Sequence, residues 1–257
     1  MIDVLTEYGQ AFLYSDGYRL TGLVITLWLT VISVLAGFAL ALPMSMALVS
    51  NRAWVRLPVR FYCLILCGTP LYLQLMMIYV GVYGLPLVRD TPVLAAIFKD
   101  GMHCAPIAFA LNSAAYTSII FASALRGVPY GEIEAARACG LSHRLVWTRI
   151  VWPRALRSAI PAYSNEVIFV LHATSLASAV TVKDIMAIAR DASAATYKSF
   201  EAFGTAAAIY LSLSFVLLAC FRRLERRLTI HLRRPDMQVG EPIGRPLPAS
   251  SPQMNRP

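Results

Sequence analysis

The chain alternates between long apolar blocks and short, strongly polar segments. No charged side chain falls between Arg19 and Arg52, between Arg60 and Arg89, or between His103 and Arg126. From Ser158 to Val182 the only acidic or basic side chains are Glu166 and His172, and a fifth apolar block runs from Phe203 to Phe221. Crossing a hydrocarbon core of about 30 Å takes about 20 helical residues. Each block is long enough, so the pattern predicts an all-α polytopic membrane protein. Its five transmembrane helices fall near 20–50, 61–85, 104–125, 158–182 and 203–221. The spans are helices because a lipid-facing segment must satisfy its backbone polar groups internally, and the period-two alternation of a membrane strand is absent. The first block is expected to be retained and not removed as a leader. Asp3, Glu7 and Asp16 precede it where a leader carries basic residues, and it far exceeds the 7–15 residues of a leader core.

Composition agrees with this picture and charge orients it. Of the 257 residues, 58% are hydrophobic and 14% charged, against about 25% charged in an average soluble domain. Segments 51–60, 126–157 and 222–234 hold three, six and six arginines, fifteen of the 23 Lys and Arg, against the acids Glu132, Glu134 and Glu225. Segments 86–103 and 183–201 are charge-balanced, and 1–19 holds three acids and Arg19. Basic residues stay on the cytoplasmic side. The expectation is an external N-terminal segment (1–19), a cytoplasmic loop at 126–157 and a cytoplasmic C-terminus. The net charge of +9 is accounted for in this way and calls for no nucleic acid. The tail 235–257, rich in Pro and Ser, is expected to be disordered. Of five cysteines, Cys63 and Cys67 lie one helical turn apart inside an apolar span with no partner pair for a metal. They read as small apolar residues, and no disulfide within the chain is expected.

The 126–157 loop has a helical logic of its own. Pro129 suits the first turn of a helix, and Glu132 and Glu134 lie near its positive end. Ala135, Ala136 and Ala138 let another backbone approach. Gly140 can take the left-handed conformation that ends a helix, and Ser142 can cap the next. Leu145, Ile150 and Trp152 then alternate with Arg144, Arg149 and Arg154, and Pro153 ends that helix or starts the next span. Two short helices at an exposed corner follow from this. They can dock in a partner's groove or lie flat on an anionic leaflet.

Glu134-Ala135-Ala136, Gly140, Ile150 and Pro153 stand in an E-A-A-x-x-x-G-x9-I-x-x-P spacing that resembles the ATPase-docking loop of ABC-importer permeases. Trp152 departs from the pattern, standing where Leu is usual. CGTPLYLQL (67–75), LNSAAYTSIIFASALRGVP (111–129) and PAYSNEVIFVLHATSLASAVT (161–181) are similar to polar-amino-acid permeases, most of all to M-type subunits of histidine/lysine/arginine/ornithine importers and to octopine and nopaline permeases. The resemblance covers nearly all of 1–234. It implies a type I importer permease in the bacterial inner membrane. The implied partners are a homologous Q-type permease, two ATP-binding subunits that bind the ATP and Mg, and a periplasmic solute-binding protein. It also implies that Glu134, Ala135, Ala136, Gly140, Arg144, Ile150 and Pro153 couple the chain to the ATPase.

Glu166 is the sharpest candidate for the substrate pathway, because an ionisable group inside a span is costly unless it faces a cavity or a partner. Its carboxylate suits a cationic side chain or α-amino group. It can equally pair with an arginine at the basic boundary or hydrogen-bond across a helix interface. Asn165 lies about 100° round the helix from Glu166, and His172 is two turns on from Asn165. Pro70 cannot donate to the carbonyl of Leu66, so Gly68-Thr69-Pro70 should break the second span. Thr69 and Gln74 can then face the pathway, as interrupted helices do in transporters, or simply accommodate a kink. Asn112 and Tyr116, one turn apart, can reach the same cavity. No G-x-x-x-x-G-K-[ST] phosphate loop is present, so the chain is not expected to supply the ATPase, and no Ser/His/Asp or metal-hydrolase constellation is visible. Two rivals remain: a membrane enzyme with Glu166 and His172 as acid and base, or an ion-coupled carrier or channel. The first needs two side chains that converge. The second leaves the patterned loop unexplained.

Overall fold

The structure is a computed structural model and describes residues 2–229 apart from 16, 18 and 19. Every regular element among them is helical, and β-pairing is limited to the isolated bridges Ser15–Leu20 and Gly22–Asp184. The tail 235–257 lies outside the described residues. Helix α1 (Ile2–Leu13) precedes the long α2 (Gly22–Val49). Helix α3 (Ala53–Gly68) is followed by α4 (Leu71–Met76), which runs into a π-helical stretch, Met77–Val82. Short α5 (Pro86–Arg89) and α6 (Pro92–Phe98) lead into α7 (Gly101–Arg126). The loop that follows holds α8 (Tyr130–Ala138) and α9 (His143–Val146). A π-helical stretch, Trp147–Val151, carries α9 without interruption into α10 (Trp152–Ala173), and a 3-10 helix, Thr174–Val180, continues it. Helices α11 (Ile185–Thr196) and α12 (Ser199–Thr229) complete the fold.

Three of these helices are long and apolar enough to cross a membrane: Gly22–Val49, Gly101–Arg126 and Ser199–Leu228. Ala53–Gly68 with Leu71–Val82 makes a fourth if this pair, bent by 105°, counts as one span. The expected five is therefore not reached on length and apolarity alone. The remaining candidate, α10, carries Arg154, Arg157, Asn165, Glu166 and His172, and those polar groups set it apart from the purely apolar helices.

Helix α7 is the centre of the bundle. It packs along α2, and α10 and α3 lie on its other sides. Small side chains make this possible: Ala105, Ala108, Ala114, Ala115 and Ala122 of α7 are buried. A Cβ at Gly37 of α2 would sit 3.1 Å from the Ala110 carbonyl oxygen and 3.1 Å from Ser113 Cβ. In lipid no hydrophobic force drives helices together, so close backbone approach through small residues supplies the packing energy. Helix α12 lies outermost, with Leu211, Phe215 and Val216 exposed.

The chain's opening segment is less passive than its composition suggests. Phe12 of α1 is fully buried with Ile185, Ile188, Ala189 and Ala192 of α11 and Ala202 and Ala206 of α12. Beneath this cluster Asp184 caps α11 by accepting from Ala187 N at 2.9 Å, and Tyr210 OH donates to its other oxygen at 3.2 Å. Burial pushes the Asp184 carboxyl up to about 6, against the pull of these hydrogen bonds and of Arg190.

Candidate functional site

The break between α3 and α4 organises the first half of the candidate site. A helix that stops at Gly68 leaves its last carbonyls without intrahelical donors, and Pro70 removes one more N–H. Side chains fill the gap. Thr69 Oγ1 donates to Ile65 O at 2.8 Å. Gln74 Nε2 donates to Leu66 O at 2.8 Å and to Thr69 at 2.9 and 3.0 Å. Asn112 Nδ2, from α7, donates to Leu66 O and to Gln74 Oε1, both at 3.1 Å. Tyr116 OH donates to Cys67 O at 3.3 Å. Thr69, Gln74 and Asn112 thus come together, and the hydrogen bonds they donate go to the carbonyls at the break and to one another.

Glu166 and Asn165 lie elsewhere on the same face. Tyr116, Ile120, Ala162, Asn165, Glu166 and Phe169 line a recess of about 340 Å³. Asn165 is exposed and Glu166 is buried. Among the described residues Glu166 Oε1 has no hydrogen-bond partner, while the Ser113 hydroxyl bonds the same carboxylate. No arginine pairs with Glu166 across the helix boundary among the described residues. Tyr116 joins the two clusters: its hydroxyl ties down the broken helix, and its ring lies 6.2 Å from that of Phe169 in the recess.

His172 is not part of this group. Its Nε2 lies 2.9 Å from Ser214 Oγ, and its ring meets Tyr210 edge-on at 6.5 Å, so it faces α12. The acid–base enzyme reading needed Glu166 and His172 to converge, and they do not. Gln74 emerges as a central member of the break network. The missing Leu66 donor flagged its neighbourhood in the sequence, but not the long-range bond from Asn112.

The 126–157 loop is a small packed unit. Leu125, Val128, Ala136, Val146, Val151 and Ala155 form a buried cluster, with Val49 of α2 packed against it. Helix α8 ends in a Schellman turn: Gly140 N donates to Arg137 O, Leu141 N donates to Ala136 O, and Gly140 takes φ +81°. Ser142 stands at the N-cap of α9 but makes no side-chain capping bond. Pro153 does not end the second helix. It sits in the first turn of α10 after the π-helical stretch, whose wider turn lets the chain pass through a residue without an N–H. The second helix of the corner is therefore continuous with the next long helix. Glu132 and Arg154, both partly exposed, bridge the corner at 2.8 Å. Glu134, Ala135 and Arg144 face outward, Ile150 and Pro153 are half-buried, and the large side chains Tyr130 and Leu145 are 64% and 45% exposed.

Long apolar helices, a broken helix lined with polar groups and a packed basic corner continuous with α10 mark a membrane transport component. The chain belongs to the family of binding-protein-dependent transport system inner membrane components, whose model matches residues 33–230. It is 49% identical to the histidine/lysine/arginine/ornithine transport system permease protein HisM of Escherichia coli K12, over 91% of this chain and 98% of that protein. It is 41% identical to the octopine transport system permease protein OccM of Rhizobium radiobacter, over 93% of this chain and 97% of that one. Among solved structures, that of an amino acid ABC transporter with histidines matches with a TM-score of 0.74 at 27% identity, covering 87% of this chain and 96% of the other.

Proposed function

We propose that this chain is one membrane half of an ATP-driven importer for basic amino acids of the histidine, lysine, arginine and ornithine class. A homologous Q-type permease supplies the other half. Two separate ATP-binding subunits bind the ATP and Mg and grip the 126–157 corner, and a periplasmic binding protein delivers the substrate. The N-terminus faces the periplasm, and the C-terminus and the corner face the cytoplasm. The observation that carries this reading is the near full-length similarity to HisM at 49% identity. The Glu166 recess adds to it, since a buried carboxylate oxygen without a partner suits a cationic ligand. Similarity to OccM supports a second reading, import of an opine, which keeps the same partners and site.

In this mechanism the corner acts as a lever. Its Ala136 cluster fixes it to the ends of α7 and α10, so a force on α8 is passed to both helices and to Tyr116 and Glu166 on them. ATP binding shifts the assembly only by its differential affinity for inward and outward states. The test is co-expression with Q-type and ATP-binding subunits, followed by ATPase assay in lipid with binding proteins loaded with lysine, histidine or octopine. Stimulation by a loaded basic amino acid is the expected result. Stimulation by octopine alone would select the second reading, and flux without any ATP-binding subunit would sink both.

A further inference from the structure

A second concavity lies between α3 and α7, toward the arginine-rich end of the bundle. Its volume is about 910 Å³, and three cationic side chains line it: Arg56 and Arg60 of α3 and Arg126 at the end of α7. Its other walls are mostly apolar, from Leu48, Leu64, Ile119 and Ala122, with Cys63, Cys67 and Gly68 farther along α3. No acidic residue lines it. Arg126 spends one donor on Leu48 O at 2.8 Å. Arg56 Nε is shut away from solvent with no acceptor among the described residues. A buried guanidinium donor without an acceptor is costly, and its neighbours Arg60 and Arg126 compound the demand for an anion.

The shape narrows the choice of anion. From Arg56 to Gly68 the wall of α3 rises about 18 Å, at 1.5 Å per residue. That matches one leaflet of a hydrocarbon core about 30 Å thick. The charge sits at one end of the groove and the rest is greasy. A free amino acid carries charges of both signs and would meet no acid here. We propose that this groove binds an anionic phospholipid, with its phosphate on Arg56, Arg60 and Arg126 and one acyl chain along the wall between α3 and α7. Planar guanidinium groups suit phosphate oxygens, and basic clusters at a membrane boundary select anionic headgroups. Such a lipid would brace α3 just below its break and link it to the α7 end that enters the coupling corner.

The test uses the purified full-length chain, stripped of lipid in detergent and titrated under native mass spectrometry. The probes are dioleoyl phosphatidylglycerol, the phosphatidylcholine of the same chains, and glycerol 3-phosphate. Phosphatidylglycerol should be retained at roughly tenfold lower concentration than phosphatidylcholine, and Arg60→Gln with Arg126→Gln should erase that preference. Ile119→Trp, which narrows the wall and keeps every charge, should also weaken phosphatidylglycerol retention. Alkylation of the half-buried Cys67 in a Cys139→Ser, Cys220→Ser background gives a readout that needs no arginine variant: phosphatidylglycerol should slow it and phosphatidylcholine should not. Equal retention of the two lipids would overturn the proposal. So would glycerol phosphate competing as well as the lipid, or Cys67 protection by a co-expressed second permease subunit but not by lipid.

Discussion

Glu166 and Asn112 are both polar groups buried at membrane depth, and their surroundings give them different duties. The Asn112 amide nitrogen has both its donors in use: it bonds Leu66 O and Gln74 Oε1. Asn112→Leu takes the donor from Gln74 Oε1 and leaves Leu66 O with Gln74 Nε2 alone, which should cost about 1–3 kcal/mol, read as a lower thermal midpoint in detergent. Glu166 has an oxygen to spare. Glu166→Gln keeps its shape and should leave assembly with the ATP-binding subunits intact while reducing lysine or arginine uptake by about tenfold or more, as loss of a charge-assisted bond implies. Unchanged uptake would remove Glu166 from the pathway. Asp184 predicts a pH dependence. Its carboxyl titrates near 6 in the folded protein, above its ordinary value of 3.8, because of burial. Between those values the folded chain holds the proton more tightly than the unfolded one, so this site's contribution to stability falls as pH rises from about 4 to 6 and is flat above. Relative to Asp184→Asn, the parent should therefore lose thermal stability between pH 4 and pH 6.

At the scale of elements, the packed corner is the part whose geometry is most tightly specified by single residues. Gly140 takes φ +81° in the Schellman turn. A β-branched side chain there is strained by about 1–2 kcal/mol, and relief means unwinding the end of α8. Gly140→Val should insert normally yet lose stimulation of the ATPase by the loaded binding protein, and normal stimulation would refute the rigid corner. Much of this element is legible in the sequence, because Gly140 and Ala136 act locally and local rules describe them. The π-helical passage through Trp147–Val151 is not legible. Pro153 reads either as the end of that helix or as the start of the next span, and the structure takes the second course, with Pro153 in the first turn of α10 and Val146 and Val151 packed in one cluster before it. The break at Thr69-Pro70 is visible for the same local reason as Gly140, but its 105° bend depends on donors from Gln74 and α7 that no local rule supplies. Helix α1 is not legible in the sequence because its partners, α11 and α12, lie far along the chain.

For the whole molecule, uninterrupted apolar blocks announce an all-helical membrane fold and include 158–182 among the spans, whereas length and apolarity of the helices themselves do not single out α10. Its polar stripe looks like a weak span because those residues face the recess, α12 and the corner instead of lipid. The asymmetry of arginines carries the remaining claim, the sidedness of the molecule. Arg56, Arg60 and Arg126 line one groove near the corner, and moving such charges across a bilayer costs several kcal/mol each, so one orientation should dominate. Cys139, exposed beside Gly140 on the corner, reports it directly. In a Cys220→Ser background a membrane-impermeant maleimide should label Cys139 in inside-out vesicles and leave it untouched in right-side-out ones. Labelling from the outside would place the lever beyond the reach of any ATP-binding subunit, and the importer mechanism would fail with it.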